Sequence, residues 1–252
     1  MANKHDYIAV FDSGIGGISV LRELFRQMPR ERFLYYGDIA NAPYGTRSTG
    51  EVRALTLAAV EKLLGRGVKA VVIACNTATA AAIEDLRKAY PELIIVGIEP
   101  ALKLAADRYP NARVGVLATP LTLREEKFSH LAERFPQMTV HSIPLPGLVE
   151  HIENGATDKE LEAFLQPLLA PYKGKLDAAV LGCTHYPLAA RTIGSLLGKE
   201  TVLLDGAEGT ARETKRRLCE AKLNYEGPGE LSFDCSGGDK DFLRRCGERM
   251  KP

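Results

Sequence analysis

Short runs that are apolar from end to end alternate with helix-length amphipathic segments along almost the whole chain. YIAVF (7–11) precedes a helical stretch over 19–28, and FLYYGD (33–38) precedes one over 48–64 that the Gly65-Arg-Gly67 turn ends. AVVIAC (70–75) precedes a helix over 78–89, and LIIVGIEP (93–100) runs from strand into loop. The alternation continues with RVGVLAT (113–119), a helix over 121–134, TVHSIP (139–144), a helix over 159–169 and AAVLGC (178–183). TVLLDG (201–206), a helix over 208–221, LSFDCSG (231–237) and a helix over 239–250 complete it. Strands with one wet face alternate polar and apolar residues; strands apolar throughout are buried on both faces. Separated by helices, they predict an α/β fold with largely parallel sheets.

An internal repeat lies within this alternation. Ala70-Val-Val-Ile-Ala-Cys-Asn-Thr77 resembles Ala178-Ala-Val-Leu-Gly-Cys-Thr-His185, and Ile8-Ala-Val-Phe-Asp-Ser-Gly14 resembles Val114-Gly-Val-Leu-Ala-Thr-Pro120. The repeat predicts two similar α/β lobes, each presenting a cysteine at the carboxyl end of a strand. Open α/β sheets bind ligands at those ends, so the expectation is an active site in a cleft between the lobes, with one thiol on each wall.

Bulk properties exclude several function classes. Thirty-three basic residues are mixed among 32 acidic ones for a net charge of +1, which leaves no basic stripe for nucleic acid. The stretch Met1–Phe11 has no apolar core of signal-peptide length, and no apolar run approaches the ~20 residues of a membrane span. A cytoplasmic protein with no membrane partner is expected. Its five cysteines, odd in number and widely spaced, are then reduced thiols. No Cys-x-x-Cys pair occurs, and Cys183 with His185 is at most half a ligand set, so no metal is expected.

Free cysteine is often simply buried, and Cys219, Cys235 and Cys246, with no surroundings comparable to those of Cys75 and Cys183, keep a structural reading. Cys75 and Cys183 differ, because each ends an apolar strand and is followed by amide, hydroxyl or imidazole groups. Two thiols on opposite walls suit a racemisation, in which one base removes an α-proton and an acid on the other face returns one. A thiol with an ordinary pKa near ~8.5 serves in both forms. Both cysteines are expected to precede helices whose N-terminal N–H groups favour thiolate and can hold a substrate carboxylate.

Phe11-Asp-Ser-Gly-Ile-Gly-Gly17, Tyr36-Gly-Asp38, Pro43-Tyr-Gly45, Ala74-Cys-Asn-Thr77 and Gly182-Cys-Thr-His-Tyr-Pro187 occur in this order across both lobes. In these segments the chain resembles the glutamate racemases of the cofactor-independent aspartate/glutamate racemase family. The resemblance implies interconversion of L- and D-glutamate with neither pyridoxal phosphate nor metal, supplying D-glutamate to peptidoglycan. It implies a first lobe of 1–98 plus 208–252, a second of 99–207, and a homodimer. It makes Cys75 and Cys183 the acid/base pair. It lines the substrate site with Asp12, Ser13, Pro43, Tyr44, Gly45, Asn76, Thr77, Thr184 and His185, and it places Glu153 near the second cysteine.

The residue types suit these assignments. Asn76, Thr77, Ser13 and Thr184 offer donors to two carboxylates and acceptors to an ammonium. Asp12 and His185 can orient a thiol or grip the ammonium, although Asp12 could instead cap the helix after Gly17. Glu150 competes with Glu153, because Pro144-Leu-Pro146 blurs the local match. Asp12 is assigned to Cys75, and His185 with Glu153 to Cys183, since each group shares a lobe. The glycine-rich turn lacks GxGxxG and no Walker motif occurs, which argues against nucleotide binding. An aspartate racemase or related cysteine-pair isomerase or decarboxylase, and a non-catalytic amino-acid-binding protein, are the rival readings.

Overall fold

A computed structural model describes residues 3–250 as two compact units. One runs to Glu99 and resumes at Ala207; the other spans Pro100–Gly206.

The first unit winds through β1 (Tyr7–Asp12), α1 (Ile18–Gln27), β2 (Arg32–Gly37), α2 (Thr49–Leu64), β3 (Val68–Ile73), α3 (Asn76–Ala89) and β4 (Ile94–Gly97). The second contains α4 (Leu102–Arg108), β5 (Arg113–Ala118), α5 (Pro120–Arg124), α6 (Glu126–Glu133), β6 (Thr139–Pro144), α7 (Leu148–Glu153), α8 (Asp158–Leu169), β7 (Ala178–Leu181), α9 (Ala190–Leu197) and β8 (Val202–Asp205). The chain then returns to the first unit with α10 (Ala207–Glu220), β9 (Glu230–Cys235) and α11 (Lys240–Arg249).

All strand pairings are parallel, and the sheet orders are β4-β3-β1-β2-β9 and β6-β5-β7-β8. Read from its other edge, the second sheet is β8-β7-β5-β6, the order of the first without β9. The repeat therefore holds in register as well as in sequence. Phe11 sits opposite Ile73 and Leu117 opposite Leu181. Beyond each central strand the same two bonds recur: Ala74 N donates to Phe11 O and Gly182 N to Leu117 O, while Asp38 N donates to Asp12 O and Leu145 N to Ala118 O. Cys75 and Cys183 are thus equivalent, each two residues past the end of its strand.

The apolar strands are buried on both faces, as parallel packing requires; Ile8, Ala9, Val10 and Phe11 are all fully buried. Helix starts follow local chemistry. Ser48-Thr-Gly-Glu51 and Thr157-Asp-Lys-Glu160 form capping boxes that open α2 and α8, each satisfying two otherwise unpaired N–H groups. The expected helix over 121–134 is instead two helices, because Glu125 adopts an extended conformation and becomes the N-cap of the second.

At the amino ends of the first sheet, buried Lys69 pairs with Glu31 at 2.6 Å and donates to Lys4 O and Leu223 O. Glu31 also accepts from Tyr225 N. Burial lowers the Lys69 pKa, and the Glu31 carboxylate partly offsets this. An uncompensated charge here would be costly, so the pair fastens the returning segment to the sheet end away from the cysteines.

Candidate active site

The loop after β1 carries Asp12 and Ser13, both buried. Asp12 Oδ1 accepts from Gly14 N at 2.9 Å, and Tyr35 Oη donates to Gly14 O at 2.6 Å. The N-cap of α1 is Gly17, with no side-chain cap, so Asp12 closes a turn and does not cap the helix. A Cβ on Gly17 would lie 2.5 Å from Asp12 Cβ and 2.9 Å from Tyr35 Oη. This glycine gives Asp12 its space.

Cys75 is the N-cap of α3, and its Sγ accepts from Ala78 N at 3.4 Å. Thr79 N completes the first helical turn on Cys75 O. A sulfur that accepts at a helix N-terminus is favoured as thiolate. Ser13 Oγ lies 3.7 Å from the same sulfur. Asn76 and Thr77 follow, buried in the first turn of α3, and Asn76 Oδ1 has no hydrogen-bond partner. An unpaired buried acceptor costs stability, so this one stands ready for a donor from a ligand.

The segment after β2 folds around Asp38. Its buried carboxylate accepts from Tyr44 Oη at 2.5 Å and from Asn41 Nδ2. Arg47 Nε donates to Asn41 O, and Ser236 Oγ, just beyond β9, accepts from Ala40 N. Pro43, after a cis peptide bond, and Gly45 flank Tyr44 within this hairpin of short turns. Burial raises the Tyr44 pKa far above the ordinary phenol range, helped by the Asp38 carboxylate and by the nearby Cys75 and Asp12 charges. Tyr44 is therefore a permanent donor to Asp38, and the backbone of the segment is what it can present to a ligand.

In the second unit Cys183, Thr184 and His185 are all buried. His185 Nδ1 lies 4.0 Å from Cys183 Sγ, and His185 Nε2 lies 2.6 Å from Glu153 Oε1 at the end of α7. A carboxylate only accepts, so the ring donates from Nε2, and Nδ1 is the nitrogen that faces the thiol. Glu153, and not Glu150, is the carboxylate on this imidazole.

The expectation that Cys183 also precedes an α-helix does not hold. The residue equivalent to Thr79 is Pro187, which has no N–H to close the first turn on Cys183 O. A 3₁₀ turn over Tyr186–Ala189 forms in its place, with Tyr186 N on Cys183 O, and α9 starts only at Ala190. One thiol thus has a helix N-terminus beside it and the other an imidazole.

Residues 12–214 match the profile of the Asp/Glu/hydantoin racemases. The chain belongs to this racemase family. It is 49% identical over 223 residues to the glutamate racemase of Clostridium novyi, covering 87% of this chain and 86% of that one. The crystal structure of glutamate racemase isoform RacE1 from Bacillus anthracis superposes with a TM-score of 0.89 at 32% identity, covering 98% and 94% of the two chains. That of the Francisella tularensis glutamate racemase in complex with D-glutamate superposes at 0.86 and 28% identity, covering 98% and 94%. As a member of this family the protein is an isomerase.

Within this racemase the expected residues form two groups. Asp12, Ser13, Pro43, Tyr44, Gly45, Cys75, Asn76 and Thr77 belong to the first unit; Glu153, Cys183, Thr184 and His185 belong to the second. Three more residues emerge from the structure. Asp38 holds Tyr44, while Thr119 occupies the position equivalent to Ser13 and, buried, shares a hydrogen bond with Thr122 Oγ1 at 2.9 Å. The repeat itself, which aligns Ser13 with Thr119, was the signal for Thr119. Among the described residues no three His, Cys, Asp or Glu side chains group as a metal site, and no helix is long and apolar enough to cross a membrane.

Proposed function

We propose that this racemase interconverts L- and D-glutamate without a cofactor, using Cys75 and Cys183 as its two acid/base groups, and supplies D-glutamate for peptidoglycan. The observation that carries this reading is the equivalence of the two cysteines in the register of two repeated sheets. A reaction that must treat both faces of one α-carbon alike calls for two like groups.

In one direction a thiolate removes the α-proton while the other thiol returns a proton to the opposite face; in the other direction the roles exchange. Cys75 is prepared as a base by the Ala78 N–H. Cys183 is prepared by His185, whose Nδ1 takes up the thiol proton while Glu153 stabilises the imidazolium. The open Asn76 Oδ1 accepts from the substrate ammonium. Ser13, Thr77, Thr119, Thr184 and backbone N–H groups, including those of the Tyr44-Gly45 segment, receive the carboxylates. The glutamate racemases similar to this chain over most of its length support glutamate as the substrate.

The test is the purified protein with L-glutamate in heavy water and no added cofactor. Expected are exchange of the α-proton, followed by NMR, and formation of D-glutamate. Binding of glutamate with no α-proton exchange overturns the proposal. Rescue of a D-glutamate auxotroph tests the peptidoglycan role.

A further inference from the structure

Among the described residues, His185 and Tyr186 both reach from the segment after β7 to the segment after β6, and the proposed mechanism uses the contact made by His185. His185 reaches Glu153 at the far end of α7. Its neighbour Tyr186, with no exposed surface, turns the other way, and its hydroxyl donates to Leu145 O at 3.2 Å, just before the near end of α7. Leu145 is itself fixed, because its N–H donates to Ala118 O beyond the central strand β5 and its carbonyl also receives Leu148 N, the first residue of α7.

We propose that Tyr186 is a positioning residue for the Cys183 half of the reaction, holding α7 at the distance at which Glu153 meets His185. The inference rests on the functional reading above. A helix of α7's length is far too short to be stable by itself, so its placement depends on what grips it. The chain enters α7 through Gly147 in a left-handed conformation (φ +87°), and Tyr186, Leu145, Leu148 and Cys183 share one buried cluster. Pinned by Tyr186 at its start and by His185 at its end, α7 has one position. Burial, with the nearby Cys183 and Glu150 charges, raises the Tyr186 pKa well above the ordinary phenol value, so the hydroxyl keeps its proton for Leu145.

The test is a double-mutant cycle on kcat. Tyr186→Phe removes one buried hydrogen bond and is expected to lower kcat about fivefold with KM within about twofold. In a Glu153→Gln background, where the pair to be positioned is already broken, the same change is expected to cost less than about twofold. Ile193→Val trims the same cluster and should leave kcat unchanged in either background. Should Tyr186→Phe not fold, Leu145→Val, which loosens the seat and keeps the hydroxyl, should show the same dependence on Glu153.

An equal loss in both backgrounds, no loss in either, or a matching loss in Ile193→Val overturns the inference while wild-type racemisation stands. Absence of racemisation in the wild type overturns both.

Discussion

Glu153 Oε1 lies 2.6 Å from His185 Nε2 and so fixes which ring nitrogen faces Cys183. A charge-assisted bond of this length is among the stronger side-chain interactions, about 1.5–3 kcal/mol. It is worth most when the ring becomes cationic. Replacing the carboxylate by an amide keeps the shape and removes the charge, so Glu153→Gln is expected to lower kcat about tenfold with little change in KM. Glu150→Gln, which removes the rival carboxylate, is expected to lie within about twofold of wild type. Initial rates in both directions check this, and a larger loss in Glu150→Gln would reverse the assignment.

The equivalence of Cys75 and Cys183 predicts equivalent losses. Cys75→Ser and Cys183→Ser are each expected to reduce racemisation at least about a thousandfold, since a serine hydroxyl is a far weaker acid than a thiol. Each variant should retain one-sided chemistry, eliminating from only one enantiomer of a substrate analogue with a good leaving group. Chiral chromatography of the products measures both effects. Racemisation at the wild-type rate in either single variant rules out the two-base scheme.

Much of this was legible in the sequence, for physical reasons that differ by element. AVVIAC and AAVLGC could be read as buried strands because a parallel sheet leaves no wet face to interrupt the apolar run. The position of each cysteine followed from those strand ends. The resemblance favoured Glu153 over Glu150, but residue spacing alone does not decide between them, because that depends on where α7 starts, which is set by a left-handed Gly147 and by Leu145. The difference between the thiols was written in the chain at Pro187, four residues beyond Cys183. Its meaning appears only when the register shows that Thr79 does the opposite in the other unit. Tyr186 enters the sequence reading only as part of the Gly182–Pro187 match, with no role of its own; its bond to Leu145 O is visible only in the structure.

In the proposed site, Asn76 exchanges stability for binding. Its Oδ1 is buried with no partner, which costs the folded protein on the order of 1–3 kcal/mol. Asn76→Ala removes the orphan and places a better helix former in the first turn of α3. The urea midpoint is expected to stay or rise while KM for glutamate increases about tenfold. A lower midpoint with unchanged KM would show the amide to be structural.

The surface of α10 sets part of the acid response. Arg216 and Arg217 hold the Glu213 carboxyl at about 2, against an ordinary 4.5. A carboxyl depressed in the folded state binds its proton more readily when unfolded. Its stabilisation is therefore present in full above pH 4.5 and is lost as pH falls toward about 2, in the sense required by linkage. The pair is partly exposed, so the effect is small and screened by salt. Glu213→Gln should flatten the fall in melting temperature across that window and leave the curve near pH 7 almost parallel to wild type. An unchanged slope would show that the ion pairs contribute nothing in solution.

If Asp12 serves the proposed reaction, Gly17 links the fold to that chemistry. Its backbone, at φ −62° and ψ −12°, is one that alanine adopts without strain, so Gly17→Ala acts only through the added methyl. That methyl would sit 2.5 Å from Asp12 Cβ and 2.9 Å from Tyr35 Oη, and the overpacking is expected to cost about 1–3 kcal/mol. Because the nearest atom belongs to Asp12, kcat should fall about tenfold to a hundredfold. Gly174→Ala supplies the contrast. Its φ of +67° strains any side chain, yet nothing lies within 4 Å of the new methyl, so it should cost about 1 kcal/mol and leave kcat alone. Equal kcat losses in the two variants at matched stability would mean that Asp12 is not held where the reaction needs it.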